Sequence, residues 1–113
     1  MYLLIAVINN EEILDELMTG WLDMGITDAT VAETTDLVQL ISAHIPIFAG
    51  FRSLTTGGMP HNRTVFTAIK KQEVLDQAVR FLEHLCGKTK QKRQGSYYVV
   101  SLLGHGRLGS EQQ

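Results

Sequence analysis

The same pattern of apolar and polar positions occurs twice along this chain. Each half opens with an apolar, strand-like stretch, LLIAVI at residues 3–8 and TVFTAI at residues 64–69. An amphipathic helix follows in each half, and the EILD of residues 12–15 returns as EVLD at residues 73–76. A further strand-like segment comes after each helix. Two β-α-β halves predict an α+β, ferredoxin-like βαββαβ sandwich, in which two helices cover one face of a four-stranded antiparallel sheet.

The predicted elements have recognisable ends in the sequence. Asn9 or Asn10 caps the first helix, and Asn9 with Glu12 three residues later resembles a capping box. Gly25 ends this helix, while Gly20 inside it indicates a close contact between the helix and the sheet. The apolar residues of the first helix recur on one face: Ile13, Leu14, Leu17, Met18, Trp21 and Leu22. The strands are predicted at 2–8, 29–35, 63–69 and 96–103, and the second helix at 72–86.

Residues 38–63 form a long insert, T-loop-like in position, between the second and third strands. Loops beyond about 12–15 residues usually carry function or are disordered, and this one is too apolar for a solvated loop. We expect a short helix at 38–44 that ends before Pro46, because a residue preceding proline avoids the helical conformation. The partner-binding residues predicted in the insert are Ile45, Ile47, Phe48, Phe51 and Arg52.

Composition indicates one globular domain over residues 1–113, since hydrophobic residues make up 44% of the chain and charged residues 19%. The net charge of −2 provides no field that would draw the chain to nucleic acid. The single cysteine, Cys86, excludes an internal disulfide and is typical of a reducing compartment. No apolar run reaches the roughly 20 residues that span a bilayer, and the N-terminus lacks the basic stretch of a signal peptide. We therefore expect a cytoplasmic protein without membrane insertion, and a flexible, glycine-rich tail at 104–113.

Four cations follow the second helix in close succession: Lys88, Lys90, Lys92 and Arg93. Cations at this place complement the negative end of a helix and solvate a loop, which is one interpretation. The other is an anion site, in which Gly87 allows close approach of the backbone and the side chains neutralise a phosphate. The sequence leaves both interpretations open.

The two halves and the insert together resemble the P-II family of nitrogen-signalling proteins. The stretch DMGITDATVAETT resembles the family's passage from a helix into its projecting T-loop, and Gly87-Lys88 resembles the Gly-Lys of its phosphate-contacting B-loop. The IPIFAGFRSL of the insert, followed by GGMPHNRTVF, is similar to a divergent branch of that family. The resemblance covers most of the chain as segment order. It implies a regulatory protein of nitrogen signal transduction and not an enzyme.

The P-II resemblance also implies partners and a ligand. It implies a homotrimer with ligand clefts between subunits, and an adenine nucleotide as the candidate cofactor. The T-loop-like insert would dock onto a target enzyme or a membrane transporter. The residues predicted to bind an anionic ligand are Gly87, Lys88 and Arg107 from the resemblance, and Lys90, Lys92 and Arg93 from their charge.

Two other functions are compatible with the same fold. A nucleic-acid-binding module would use the basic segment 88–93 with Tyr97 and Tyr98 as a stacking platform, although the net charge counts against it. A metal-responsive trimer, similar to the divalent-cation-tolerance proteins, would need a cluster of metal ligands. The histidines show no zinc-site spacing, and they are scattered at His44, His61, His84 and His105. No metal site and no catalytic residues are predicted, because no hydroxyl or thiol has a recognisable base beside it.

Overall fold

A computed structural model describes residues 1–44, 61–89 and 94–109, with the side chains of 42–44 left out. Four strands and three helices alternate along these residues. In chain order they are β1 (Tyr2–Ile8), α1 (Glu11–Asp23), β2 (Thr30–Thr34), α2 (Leu37–His44), β3 (Asn62–Ile69), α3 (Gln72–Gly87) and β4 (Gly95–Ser101). The short helix expected at the start of the insert is thus present as α2. The rest of the insert, with the partner-binding residues predicted there, lies outside the described residues.

The four strands form one antiparallel sheet in the order β2-β3-β1-β4. At one end of the sheet, Ile8 lies opposite Arg63 of β3 and Gly95 of β4. At the other end, Tyr2 lies opposite Ile69 and Ser101. We refer to these as the Ile8 end and the Tyr2 end. This strand order, with helices on one face, is that of a ferredoxin-like fold and confirms the predicted fold class.

The core lies between the sheet and the helices α1 and α3. Alternate residues of β1 are buried there, namely Leu4, Ala6 and Ile8, as expected from the two-residue period of a strand. The helices contribute one apolar face each: Ile13, Leu17 and Trp21 from α1, and Leu75, Ala78, Leu82 and Leu85 from α3. The two helices are also joined by a buried hydrogen bond, which the Trp21 indole Nε1 donates to the Ala78 carbonyl at 3.2 Å.

Two details of α1 differ from the prediction. Leu22 was expected in the core, but its side chain is 57% exposed, because the buried face of α1 follows the i, i+4, i+8 line through Ile13 and Trp21. Gly20 was expected to face the sheet, but it lies against α3. A Cβ at this position would overlap the ring of Phe81. The glycine therefore permits a close approach of two helices.

The face of the sheet away from α1 and α3 carries apolar side chains that no described element covers. The register assigns Tyr98 to this face, since it pairs with Ile5, and assigns Tyr97 to the helix face, since it pairs with the buried Ala6. Phe66 and Val100 are both more than one third exposed. We call this surface, composed of Leu3, Ile5, Val7, Phe66, Tyr98 and Val100, the open face.

Candidate functional site

Polar side chains are buried together at the Ile8 end of the sheet, where α2, β3 and the start of β4 meet the turn after β1. Asn10, Asn62 and Gln39 are each at most 5% exposed. Burial of a carboxamide is unfavourable unless its donors and acceptors are bonded. Among the described residues, no buried side-chain nitrogen or oxygen lacks a hydrogen-bond partner. The cluster is therefore a satisfied network.

Asn62 is the centre of one half of the network. Its Oδ1 accepts a hydrogen bond from Asn9 Nδ2 at 2.7 Å and another from Gln39 Nε2 at 3.2 Å. Its own Nδ2 donates to Asp36 Oδ2 at 3.5 Å. Gln39 and Asn62 lie close to the two ends of the insert 38–63. This half of the network therefore holds the beginning and the end of the insert together.

Asn10 is the centre of the other half. Its Nδ2 donates to Gln94 Oε1 at 2.8 Å and to Thr89 Oγ1 at 3.3 Å. The backbone of the preceding residue adds a further link, since Asn9 N donates to the Gln94 carbonyl at 2.6 Å. Thr89 and Gln94 flank residues 90–93, which hold most of the predicted basic segment. This half of the network fixes both ends of that segment.

Two residues of the network, Asn10 and Gln39, also take part in helix caps. Asn10, and not Asn9, caps α1, because Asn10 Oδ1 accepts from Glu12 N at 3.0 Å. At α2, Gln39 N donates to Asp36 Oδ1 at 2.9 Å and Asp36 N donates to Gln39 Oε1 at 3.0 Å. This reciprocal pair is a capping box with Asp and Gln in the two positions. Its signal, Asp-x-x-Gln at residues 36–39, was available in the sequence and was not used.

A cleft of about 670 Å³ opens beside the network on the open face. Residues 34–39 form one wall and residues 94–96 another, with Asn62, Thr64 and Tyr98 also lining it. At the mouth, the backbone of β4 passes so close to β1 that a Cβ on Gly95 would overlap the Val7 carbonyl. The φ of +141° at this position also favours glycine. The lining offers many hydrogen-bond donors and acceptors, and among the described residues that line it only Asp36 and Tyr98 are ionisable.

The predicted anion-binding residues are only partly within the described chain. Gly87 is the last residue of α3. Lys88 is exposed, and its Nζ lies 3.9 Å from Glu16 Oε2, a loose surface pair of little energetic weight. The remaining cations of the segment, at residues 90, 92 and 93, lie outside the described residues. The described residues on either side of them, Thr89 and Gln94, are both bonded to Asn10.

Arg107 lies far from this cleft within one chain. Its Nη2 is 2.9 Å from Asp28 Oδ2, and Asp28 Oδ1 accepts from Thr67 Oγ1 at 3.4 Å. Arg107 follows β4 at the Tyr2 end of the sheet, whereas Lys88 precedes β4 at the Ile8 end. A strand of this length separates them by roughly 20 Å. The structure of one chain does not bring the two cations together.

The other residues that were considered for chemistry are spread over the surface. His61 Nδ1 is 3.0 Å from Thr35 Oγ1, and His84 is exposed in the last turn of α3. In the described parts of the chain, no group of three or more metal-ligating side chains comes together. Cys86 is half-buried, and burial raises the pKa of its thiol above the ordinary value. Tyr97 donates from its hydroxyl to Glu83 Oε2 at 3.3 Å on the helix face, while Tyr98 borders the cleft.

Comparison with known proteins adds no assignment. No protein-family model matches this chain, and no protein of curated function matches it. None of the helices within the described residues is both long and apolar enough to cross a bilayer. The P-II resemblance therefore rests on the motifs and the segment order given above.

Proposed function

We propose that this chain is a P-II-like regulatory protein, which binds a small phosphate-bearing ligand and acts on a target protein through the insert 38–63. The observation that carries this proposal is the shared cleft. One of its walls is formed by residues 34–39, which lead into the insert, and another by residues 94–96, which directly follow the basic segment. A ligand held there contacts residues on both walls. Its binding would therefore affect the start of the insert, which we propose contacts the target protein.

The chemistry of the basic segment and of the neighbouring cleft supports a nucleotide as the ligand. The cations of the basic segment suit phosphate oxygens, which accept charge-assisted hydrogen bonds. The carboxamides and hydroxyls of the cleft suit the neutral polar edge of a base or a sugar, and Tyr98 offers an aromatic ring for stacking. An adenine nucleotide combines these groups in one molecule. The chain would use it as a signal and would not catalyse its reaction.

The open face supports an oligomer. A contiguous apolar patch that no described element covers is typical of a surface that binds protein. The occupant we propose is a second copy of this chain, because the cleft lies on the same face and Tyr98 belongs to both. A copy packed there would border the cleft and close it from the side. Three copies are proposed from the P-II resemblance, which also implies clefts between subunits.

A thermal-shift titration with ATP tests the ligand. Lys88→Ala combined with Lys90→Ala should abolish the ATP-induced rise in melting temperature while changing the unliganded protein by less than about 0.5 kcal/mol. The matched control is Lys70→Ala with Lys71→Ala, which removes the same charge from exposed positions at the Tyr2 end. If both double variants lost the ATP-induced rise in melting temperature equally, the effect would reflect the overall charge of the protein and not a site at the basic segment. No shift of the wild-type protein by ATP or any other phosphate ester would refute the anion site.

Single-stranded nucleic acid is the second candidate, and Tyr98 beside the cleft is the observation that favours it. Its neighbour Tyr97 does not extend the stacking surface, because it lies on the opposite face next to Glu83. An electrophoretic shift assay with short oligonucleotides separates the two candidates. We expect no shift at physiological salt.

A further inference from the structure

We propose that the paired asparagines Asn9 and Asn10 are a positioning relay, which makes the helix α2 at the start of the insert sensitive to the positions of Thr89 and Gln94 on either side of residues 90–93. The relay consists of the hydrogen bonds that run from Thr89 and Gln94 through these two residues to Asn62 and Gln39. Its dependence on a bound ligand rests on the proposed function. The coupling within the unliganded chain does not.

The connections are contiguous and short. On the side of the basic segment, Gln94 bonds Asn10 through its side chain and Asn9 through its backbone carbonyl, at 2.8 and 2.6 Å. On the side of the insert, Asn9 Nδ2 donates to Asn62 Oδ1 at 2.7 Å. Because Asn9 and Asn10 are adjacent in the chain, a shift of Gln94 changes the position of both. No gap in this path needs to be bridged by water.

The oxygen Oδ1 of Asn62 couples the position of Asn9 to the helix α2. A carboxamide oxygen has two lone pairs, and Asn62 Oδ1 already accepts from both Asn9 and Gln39. A movement of Asn9 therefore alters the bond that Gln39 makes to the same atom. Gln39 belongs to the capping box of α2, and a helix of eight residues depends strongly on such contacts. A change at Asn9 thus reaches the first turn of α2.

Burial makes these hydrogen bonds depend strongly on one another. Asn10 and Asn62 are 1% and 3% exposed, so water cannot readily replace a partner that moves away. In a buried network, one broken bond leaves a donor or acceptor unsatisfied and shifts the neighbouring bonds. An exposed chain of amides would instead exchange partners with solvent and transmit nothing. The relay is therefore a consequence of where these side chains lie as well as of their chemistry.

Asn10→Asp is a variant that interrupts the relay and keeps the N-cap of α1. Aspartate keeps the oxygen that caps α1 through Glu12 N, and Asp is as good a cap as Asn. It lacks the Nδ2 donor to Gln94 and Thr89, and it places a carboxylate next to Gln94 Oε1. Gln72→Glu is the matched control. It makes the same change from amide to acid at an exposed site, where Gln72 Nε2 donates only to Asp76 among the described contacts.

Hydrogen exchange of the unliganded full chain tests the coupling. Asn10→Asp should increase the exchange rates of the α2 amides by about tenfold or more, although the described hydrogen bonds of Asn10 do not include α2, while Gln72→Glu leaves them unchanged. If Asn10→Asp does not fold, Thr89→Val serves instead. It removes one acceptor of Asn10 Nδ2 in a side chain of the same shape and should increase the rates in the same direction. Unchanged α2 exchange in a folded relay variant would overturn the relay.

A second arm with ATP distinguishes the relay from the proposed function. In the wild-type chain, saturating ATP should change the exchange of α2. Because residues 37–39 of α2 also line the cleft, the wild type and Asn10→Asp are compared at ATP concentrations that saturate each in its own thermal-shift titration. The ATP-induced change in α2 exchange should be smaller in Asn10→Asp, and a change of equal size in both proteins would contradict the relay. If ATP binds neither protein, the proposed function fails, and the unliganded comparison alone decides the relay.

Discussion

Gln39 and Asn62 are 23 residues apart in sequence and are joined by a buried hydrogen bond of 3.2 Å from Gln39 Nε2 to Asn62 Oδ1. This bond connects the first turn of α2 with the first residue of β3, so it holds the two ends of the insert side by side. The insert therefore leaves and re-enters the fold at one place, next to the cleft. Whatever the insert contacts, its base is fixed to the sheet by this pair.

Removal of the Asn62 carboxamide should destabilise the protein. In Asn62→Ala the side chains of Asn9 and Gln39 each lose the acceptor Oδ1, and the loss of these two hydrogen bonds from a largely buried network should cost about 1–3 kcal/mol. Urea unfolding measures the change in the free energy of unfolding. Gln77→Ala, at an exposed amide of α3, is the control and should change stability by less than about 0.5 kcal/mol. Equal stability of the two variants would show that the network contributes nothing.

An alanine at Gly20 should also destabilise the chain, although alanine favours helix. A Cβ there overlaps the Phe81 ring, and overpacking of a core contact costs about 1–3 kcal/mol. Gly87→Ala is the matched control, because nothing lies within 4 Å of a Cβ at that helical position. The double variant Gly20→Ala with Phe81→Leu should regain part of the loss. Thermal unfolding that ranks Gly20→Ala at or above the wild type would contradict the close helix contact.

The Cys86 thiol should react slowly at mildly alkaline pH. Burial raises its pKa, so at pH 8 the folded chain holds less of the reactive thiolate than the unfolded chain does. Alkylation by iodoacetamide, followed by mass spectrometry, should therefore be slower in the native protein than in urea. The same shift implies that the thiol's contribution to stability is present below its ordinary pKa of about 8.5 and is lost as pH rises through the higher folded value. Equal alkylation rates in the two states would refute the shift.

A charge on the open face should break the oligomer. Tyr98→Arg introduces a cation at the centre of the apolar surface, which a second copy could cover only by burying an unpaired charge. Light scattering should then report a smaller assembly than the trimer proposed for the wild type. Leu22→Arg is the control, because Leu22 is equally apolar and exposed but lies on the helix side of the fold. If only the Leu22→Arg variant dissociated, the subunit interface would lie on the helix side of the fold instead of the open face.

The fold could be predicted from the sequence because its signals are local. The apolar alternation of β1 and the i, i+4 spacing of Ile13 and Leu17 determine each element within a few residues, and the repeat determines their order. The error at Leu22 arose because a helical face is about 100° wide and its edge depends on the neighbouring helix. The glycine inside α1 indicated that some element approaches Gly20 closely. Nothing in the sequence indicated that this element would be α3, through Phe81.

The network at the Ile8 end could not be predicted in the same way. The bond from Asn10 to Gln94 joins residues 84 positions apart, and asparagine or glutamine is equally ordinary on any surface. Only the Asp36–Gln39 capping box had a local pattern. The basic segment, in contrast, was recognisable from its charges, and the structure locates its two ends at the same network.

Binding of a phosphate-bearing ligand in the cleft at the Ile8 end can be followed through backbone amide chemical shifts during a titration with ATP. The shifts of Asn9, Gln39, Asn62, Gln94 and Ser96 should move together with one dissociation constant, while the shifts of residues at the Tyr2 end should stay unchanged. No movement at millimolar ATP, or movement confined to the Tyr2 end around Arg107, would contradict it.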